Sequence, residues 1–366
     1  VFFVRTELAG NAAKRQSLLI GQGLRENAMQ DRKTVDVMSL AGDGLNTLYA
    51  ERIEPILRAQ EEGRGAAMGT YRMRVILGVM AAIIVGAITA WISENDVWNM
   101  LIFGGVTFAG AHWWAYQPLQ EVATNTKQQS LTAIADAIGC NFALNGFEPA
   151  GAEQLSELQL LPSCDRSTYE DCFDGKHSGC EYAFYDGHLE RKVKTKNGHS
   201  WQTVFRGQLI RIAFPKKFHG KTIVKRDAGM FNFMQRWMTS LQRVGLGDSR
   251  LEKAFEVYSD DQVEARYLIH PVFMERLLDL EKRFEGKNLR CAFVDGDLLI
   301  AIEGGDKFEI GSMFANLDDI KRVRTIVDDI AGIMHVIDAV LTAEQGALPN
   351  ETGPASPGPP SENSQS

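Results

Sequence analysis

Residues 75–92 read VILGVMAAIIVGAITAWI, and residues 97–116 read VWNMLIFGGVTFAGAHWWAY. Neither run contains Asp, Glu, Lys or Arg. At about 1.5 Å of rise per residue, helices of these lengths extend about 27–30 Å, the thickness of a bilayer's hydrocarbon core. A helix apolar on every face suits lipid better than a water-facing surface. Two membrane-spanning helices are therefore expected. Only Ser93, Glu94, Asn95 and Asp96 separate them, so they should form an antiparallel hairpin. Such a hairpin leaves the rest of the chain on one side of the membrane.

Charge predicts which side. Arg58, Arg64, Arg72 and Arg74 precede the first run and Lys127 follows the second, while the short connection carries only Glu94 and Asp96. Positive charge resists translocation, so the basic flank and both termini are expected in the cytoplasm. Trp91 and Trp98 mark one interface; Tyr71, Trp113, Trp114 and Tyr116 mark the other. Asn99 and His112 are polar but lie near the ends of the second run, away from mid-membrane, where a proton relay would sit. Ala82, Gly86 and Ala90 recur at four-residue steps, as do Gly105 and Ala109, a spacing that lets helices approach closely. Either the hairpin packs on itself or these faces make a homo-oligomer.

Composition sets further bounds. The chain has 366 residues and a net charge of −8, which argues against nonspecific nucleic-acid binding. Five cysteines, without paired spacing, suit reduced thiols in a cytoplasm. Residues 1–4 (VFFV) are too short for a signal-peptide core.

Taken in order, residues 1–44 read as a weakly ordered N-terminal segment. Residues 45–72 carry Leu45, Leu48, Tyr49, Ile53, Ile56 and Leu57 at helical spacing, with a kink or restart expected at Pro55. Residues 73–117 hold the hairpin. A cytoplasmic domain is expected over 118–342, beginning with a short helix at 127–138. Strands are expected at 180–185, 188–195, 200–214, 222–225, 255–258, 289–294 and 298–303, with an edge strand at 308–310. Asp186-Gly187, Asn197-Gly198 and Asp295-Gly296 read as hairpin turns, since positive φ is cheap there. Residues 230–241 read as helical or irregular, and 317–341 as a long amphipathic helix with Ile320, Val323, Ile326, Val327, Ile330, Ile333 and Met334 on one stripe. The tail, 343–366, is rich in Pro, Gly, Ser and Asn and should not order itself. Strand runs followed by helices, without βαβ alternation, predict an α+β fold. The expectation is a two-helix transmembrane hairpin, then a mainly antiparallel sheet domain with a long C-terminal helix.

Four stretches carry a resemblance: LPSCDRSTYEDCFDGKHSG at 161–179, VFRGQLIRIAFPKKFHGKTIV at 204–224, RDAG at 226–229 and FEVYSDDQVEARYLIHPVFMERL at 255–277. Together with LYAERIEPIL before the first apolar run, they resemble the domain-of-unknown-function 3137 family over residues 45–341. The resemblance implies a bacterial two-pass protein of the inner membrane. It implies no activity, no cofactor and no catalytic residue. Its motif positions are Asp261, Gln262, Glu264, Arg266, Tyr267, Pro271, Glu275 and Arg276.

Each chemically suggestive group also has a structural explanation. Asp261, Glu264 and Arg266 could serve acid–base chemistry, but Ser259 with Gln262, or Asp261 with Glu264, fits a capping box at a helix start. Gln262 and Arg266 share a helix face, and Pro271 fits the first turn of a following helix, with Glu275 and Arg276 turned outward. Cys164, Cys172, His177 and Cys180 are zinc-ligand types, yet they lack the close pairs of structural zinc sites, so no metal is expected. The stretch FPKKFHGKT at 214–222 has one glycine and does not match a phosphate loop. Its Lys216, Lys217 and Lys221 are candidates for contact with anionic lipid, against the plainer reading of a solvated turn. No nucleophile elbow, HExxH or Rossmann fingerprint is present.

These observations favour a membrane-anchored cytoplasmic binding module. No cofactor and no nucleic acid are expected; the expected partners are the bilayer and either a second protein or a second copy. A membrane-tethered enzyme with a polar site near Asp261–Glu275 and an oligomeric transport or channel component are the alternatives.

Overall fold

The computed structural model describes residues 45–92, 97–196, 198–226, 241–305, 308 and 320–347. The expected features at 1–44, 93–96, 230–240, 309–310 and in the tail beyond 347 lie outside the described residues. A first turn, α1 (Leu45–Leu48), passes through a π-helical segment (Tyr49–Ile53) into α2 (Glu54–Ile92). Pro55 is the second residue of α2 and lies just past the π-helical segment, where its missing N–H interrupts the regular helical ladder. A second long helix, α3 (Val97–Ile138), runs back along α2. Gly78 makes the close approach possible: a Cβ there would stand 2.5 Å from that of Ala111. The Gly86 face of the small-residue spacing is used the same way, against Met100, while Gly105 has nothing within 4 Å of its Cβ position.

The two helices differ in apolar character. Among the described residues, only α2 is long and apolar enough to cross a membrane by length and composition. The apolar half of α3 is diluted by Asn99, His112 and three tryptophans. The structure thus contains the antiparallel helix pair, but supports one candidate span where the sequence suggested two. The side chains of this pair point into open space: Ile83 of α2 is 66% exposed and Val106 of α3 is 67% exposed.

Pro118 does not divide α3, contrary to the expected separate helix at 127–138. Ala115 buries just before it and Leu119, Leu131, Ile134 and Ile138 after it, and that packing outweighs the missing hydrogen bond. α3 therefore leads from the exposed apolar half directly into the core of the sheet domain.

That domain is built on one antiparallel sheet of nine strands. They are β1 (Asn141–Ala143), β2 (Arg166–His177), β3 (Cys180–Thr195), β4 (Gly198–Ala213), β5 (Thr222–Arg226), β6 (Gln242–Val244), β7 (Phe255–Ser259), β8 (Lys287–Val294) and β9 (Asp297–Glu303). Their order is β1-β2-β3-β4-β9-β8-β5-β7-β6. Successive side chains alternate between faces. One face carries Phe184, Ile210, Ile212, Leu298, Ile300 and Ile302 beneath the end of α3 and beneath α6 (Gln262–Leu268), α7 (Pro271–Arg283) and α8 (Ile320–Ala347). The other face carries Tyr185, Leu189, Phe205, Leu209 and Leu299 against the short α4 (Ala152–Glu157) and the leucines that follow it. A further short helix, α5 (Ser249–Ala254), precedes β7.

The Asp295-Gly296 turn holds and the Asp186-Gly187 turn does not, while Asn197 of the third lies outside the described residues. β8 and β9 join across Asp295 and Gly296, both at positive φ, and β3 and β4 close with Thr195 opposite Gly198. Asp186 and Gly187, however, lie inside the continuous strand β3. Both neighbours hold them there: Asp186 pairs with Glu170 and Gln208, and Gly187 with Tyr169 and Gly207. Partner strands on both sides override the local preference for a turn. The real turn before β3 is at Ser178 and Gly179, both at positive φ. Phe308 is buried in the core and is not in a strand.

Candidate functional site

The motif residues around 259–276 meet the 214–221 loop at one end of the sheet. Asp261 is the N-cap of α6 and its Oδ1 accepts from Val263 N and Glu264 N, both at 2.9 Å. Glu264 does not complete a capping box. Its two carboxylate oxygens instead accept from the backbone N–H groups of His219 at 2.8 Å and Gly220 at 2.7 Å. Asp260 accepts from Lys221 N at 2.6 Å. Ser259 donates to Asp261 O at 3.0 Å, accepts from Asp261 N at 3.1 Å, and its hydroxyl meets that of buried Thr222 at 2.9 Å. Gly220 is required by the contact, since a Cβ there would stand 2.6 Å from Asp261 Cβ and 2.7 Å from Asp260 Oδ1.

Three successive N–H groups of the loop are thus held by the carboxylates of Glu264, a candidate for acid–base chemistry, and of Asp260, which was not one. A carboxylate engaged twice by backbone donors is positioned to hold a loop. The other motif residues are dispersed. Gln262 donates to Gln242 O at 3.2 Å, tying α6 to β6. Arg266 and Tyr267 are exposed on α6, and Glu275 is exposed on α7. Pro271 is the first residue of α7, behind an N-cap of His270. Arg276 lies 3.9 Å from Asp279 on the same helix. Lys216 and Lys217 are exposed and Lys221 is half-buried. With Asp260, Asp261 and Glu264 against the loop, much of that positive charge is offset locally.

The four zinc-ligand residues are separated. Cys164 is exposed ahead of β2, Cys172 packs on the α4 face, and Cys180 packs on the α8 face. The His177 ring Nε2 is 2.8 Å from Asp338 Oδ1 of α8. Among the described residues no three His, Cys, Asp or Glu side chains come together as a metal-holding group. Burial raises the Cys172 thiol well above its ordinary range and pushes Cys140 up to about 12, so both stay protonated and apolar in character.

Two features were not anticipated from the sequence. Lys127 of α3 places its Nζ 2.6 Å from Oδ2 of Asp171, and both side chains are buried. Asp171 sits at the irregularity in β2 with φ of 58° and donates its N–H to Leu144 O at 2.9 Å. The pair fastens the lower half of α3 to the sheet. A cleft of about 100 Å³ opens between β2, β3 and β4, with Glu170, Asp186, His188 and Arg206 at its walls. Beside it, buried Gln208 donates to Asp186 Oδ1 at 3.0 Å and to Gly305 O at 2.9 Å. Both signs of charge line so small a space, which selects no ligand class.

Residues 203–341 match the family model described as a protein of unknown function, DUF3137. Over that stretch the chain is similar to the family. The match covers β4 through most of α8 and includes the clamp between the 214–221 loop and α6, while the helix pair lies ahead of it. A search of curated proteins finds no match. The crystal structure of the mycobacterial trehalose monomycolate transport factor A, TtfA, aligns over 55% of this chain and 93% of its own, at 10% identity and a TM-score of 0.29. That likeness is too slight to support an argument about fold or function. Within the matched stretch, Asp260, Asp261 and Glu264 hold backbone N–H groups.

Proposed function

We propose that this protein is a membrane-anchored binding module, held at the cytoplasmic face of a bacterial inner membrane by the α2–α3 pair. The observation that carries this reading is the continuity of α3, from exposed apolar Val97 to buried Ile138 without interruption. A flexible linker would let the domain wander; a continuous helix fixes which surfaces face the bilayer. Aromatic and basic groups at the middle of the pair support an interface there. Arg74 donates to Trp114 O at 3.2 Å with its guanidinium 4.3 Å from the Trp114 ring centroid, and Tyr71 meets His112 and Tyr116 edge-on. Anchoring raises the domain's local concentration at the membrane, which favours weak contacts with anionic lipid or a partner protein.

Reporter fusions in a bacterial host test the arrangement. A fusion placed after Asn95 should report from the periplasm and a fusion at the C-terminus from the cytoplasm. Periplasmic activity from the C-terminal fusion would sink the topology.

A further inference from the structure

β3 and β4 outrun the rest of the sheet. β2 accompanies β3 only as far as the pair Arg166–Glu190, and β9 accompanies β4 only as far as Gly207–Glu303. Beyond those points residues 191–196 and 198–202 form a two-stranded arm with almost every residue exposed. Arg191, Lys192, Lys194 and Lys196 lie in it, and no Asp or Glu occurs from 191 to 206, in a chain of net charge −8. Directly opposed residues share a face. Lys192 opposes Trp201 and Lys194 opposes His199, so one face gathers two lysines, a histidine and a tryptophan. Trp201 is 44% exposed even with the Arg166 guanidinium 4.3 Å from its ring centroid. Arg191 is on the other face, bonded to Ser163 O at 2.6 Å.

The direction of the arm follows from the anchor points of α3. Lys127 meets Asp171, and farther along the chain Asn141 donates to Asp174 at 2.9 Å. β2 therefore runs the same way as α3, away from the exposed apolar half, and antiparallel β3 runs back towards it. From the level of Lys127, α3 rises about 17 Å to Tyr116. From Asp186, beside that level, β3 rises about 30 Å to Thr195, or about 20 Å if inclined by some 45°. By these lengths the tip stands at about the level of Trp113, Trp114 and Tyr116. The alternation along β3 also puts Lys192 and Lys194 on the side of Tyr182 and Phe184, the face on which α3 packs.

We propose that the β3–β4 arm docks on anionic headgroups of the bilayer entered by the helix pair, with Lys192, Lys194 and Lys196 supplying charge and Trp201 the interfacial ring. This rests on the membrane-anchored reading above and names the surface that reading leaves open. The 214–221 loop, by contrast, follows the far end of β4, with carboxylates against it. Nucleic acid is disfavoured as occupant because the strip faces the helix pair and the rest of the chain is acidic.

The full chain is tested in nanodiscs of phosphatidylcholine alone or mixed with phosphatidylglycerol. In a Cys164→Ser background, which removes the exposed native thiol, a fluorophore is placed on Thr195→Cys or on Trp113→Cys, with a nitroxide quencher on the lipid headgroups. Thr195 fluorescence should be quenched in anionic discs and released by salt. Lys192→Gln and Lys194→Gln should each lower the docked-to-undocked ratio about fivefold, and Lys216→Gln with Lys217→Gln should leave it unchanged. Quenching at position 113 without quenching at 195 would overturn the arm and leave the anchor standing. Absence of quenching at 113 would overturn the anchor and the arm with it. Protection of position 195 by added RNA or acidic protein, with no response to lipid charge, would also overturn the proposal.

Discussion

Glu264 holds two backbone N–H groups at once, and nothing else described offers them an acceptor. Removing a carboxylate that accepts from two backbone N–H groups, one of them part-buried, costs roughly 1–3 kcal/mol. Glu264→Ala should therefore lower the urea stability of the domain by about 2 kcal/mol, while Arg266→Ala, on the exposed side of the same helix, should stay within about 0.5 kcal/mol. Equal losses in the two variants would remove the clamp as the explanation of the motif. The Asp261 cap was legible in the sequence, because Asp before an apolar helix start satisfies local N–H groups. The partner of Glu264 was not legible: its acceptor role is met 44 and 45 residues away, across a loop whose path no local spacing encodes.

Elements were readable where the hydrophobic pattern sufficed. α8 and the β8–β9 hairpin follow directly from a helical stripe and an Asp-Gly turn between apolar runs. β2 escaped because RSTYEDCFDGKH has no apolar alternation; it is a strand because β1 and β3 pair with it. Asp186-Gly187 misled for the complementary reason, a local turn signal overruled by partners on both sides. The Lys127–Asp171 pair is an element-scale feature too, joining α3 to β2. Breaking a buried pair strands one charge, at a cost of about 3–5 kcal/mol. Lys127→Met should therefore be strongly destabilising in thermal or denaturant unfolding. Adding Asp171→Asn, which removes the stranded charge and tolerates the positive φ, should recover part of the loss. A double variant no more stable than Lys127→Met alone would show that the charge was not the source of the cost.

For the whole molecule, the basic residues of the arm are plain in the sequence, but only the sheet order leaves them projecting and only the course of α3 aims them. The organisation of the chain reduces to α3: one helix shared between the apolar pair and the sheet core, fixed by Lys127 and by the burial of Leu131, Ile134 and Ile138. Distance measurement between spin labels on Val106→Cys and Glu170→Cys, in the full chain with Cys164→Ser, tests that unity directly. Both sites are exposed, one on the apolar half of α3 and one on β2. A single narrow distance distribution, the same in detergent and in nanodiscs, is the expected result. A broad or two-peaked distribution would mean that α3 bends between the two halves and would contradict a sheet domain rigidly mounted on the helix pair.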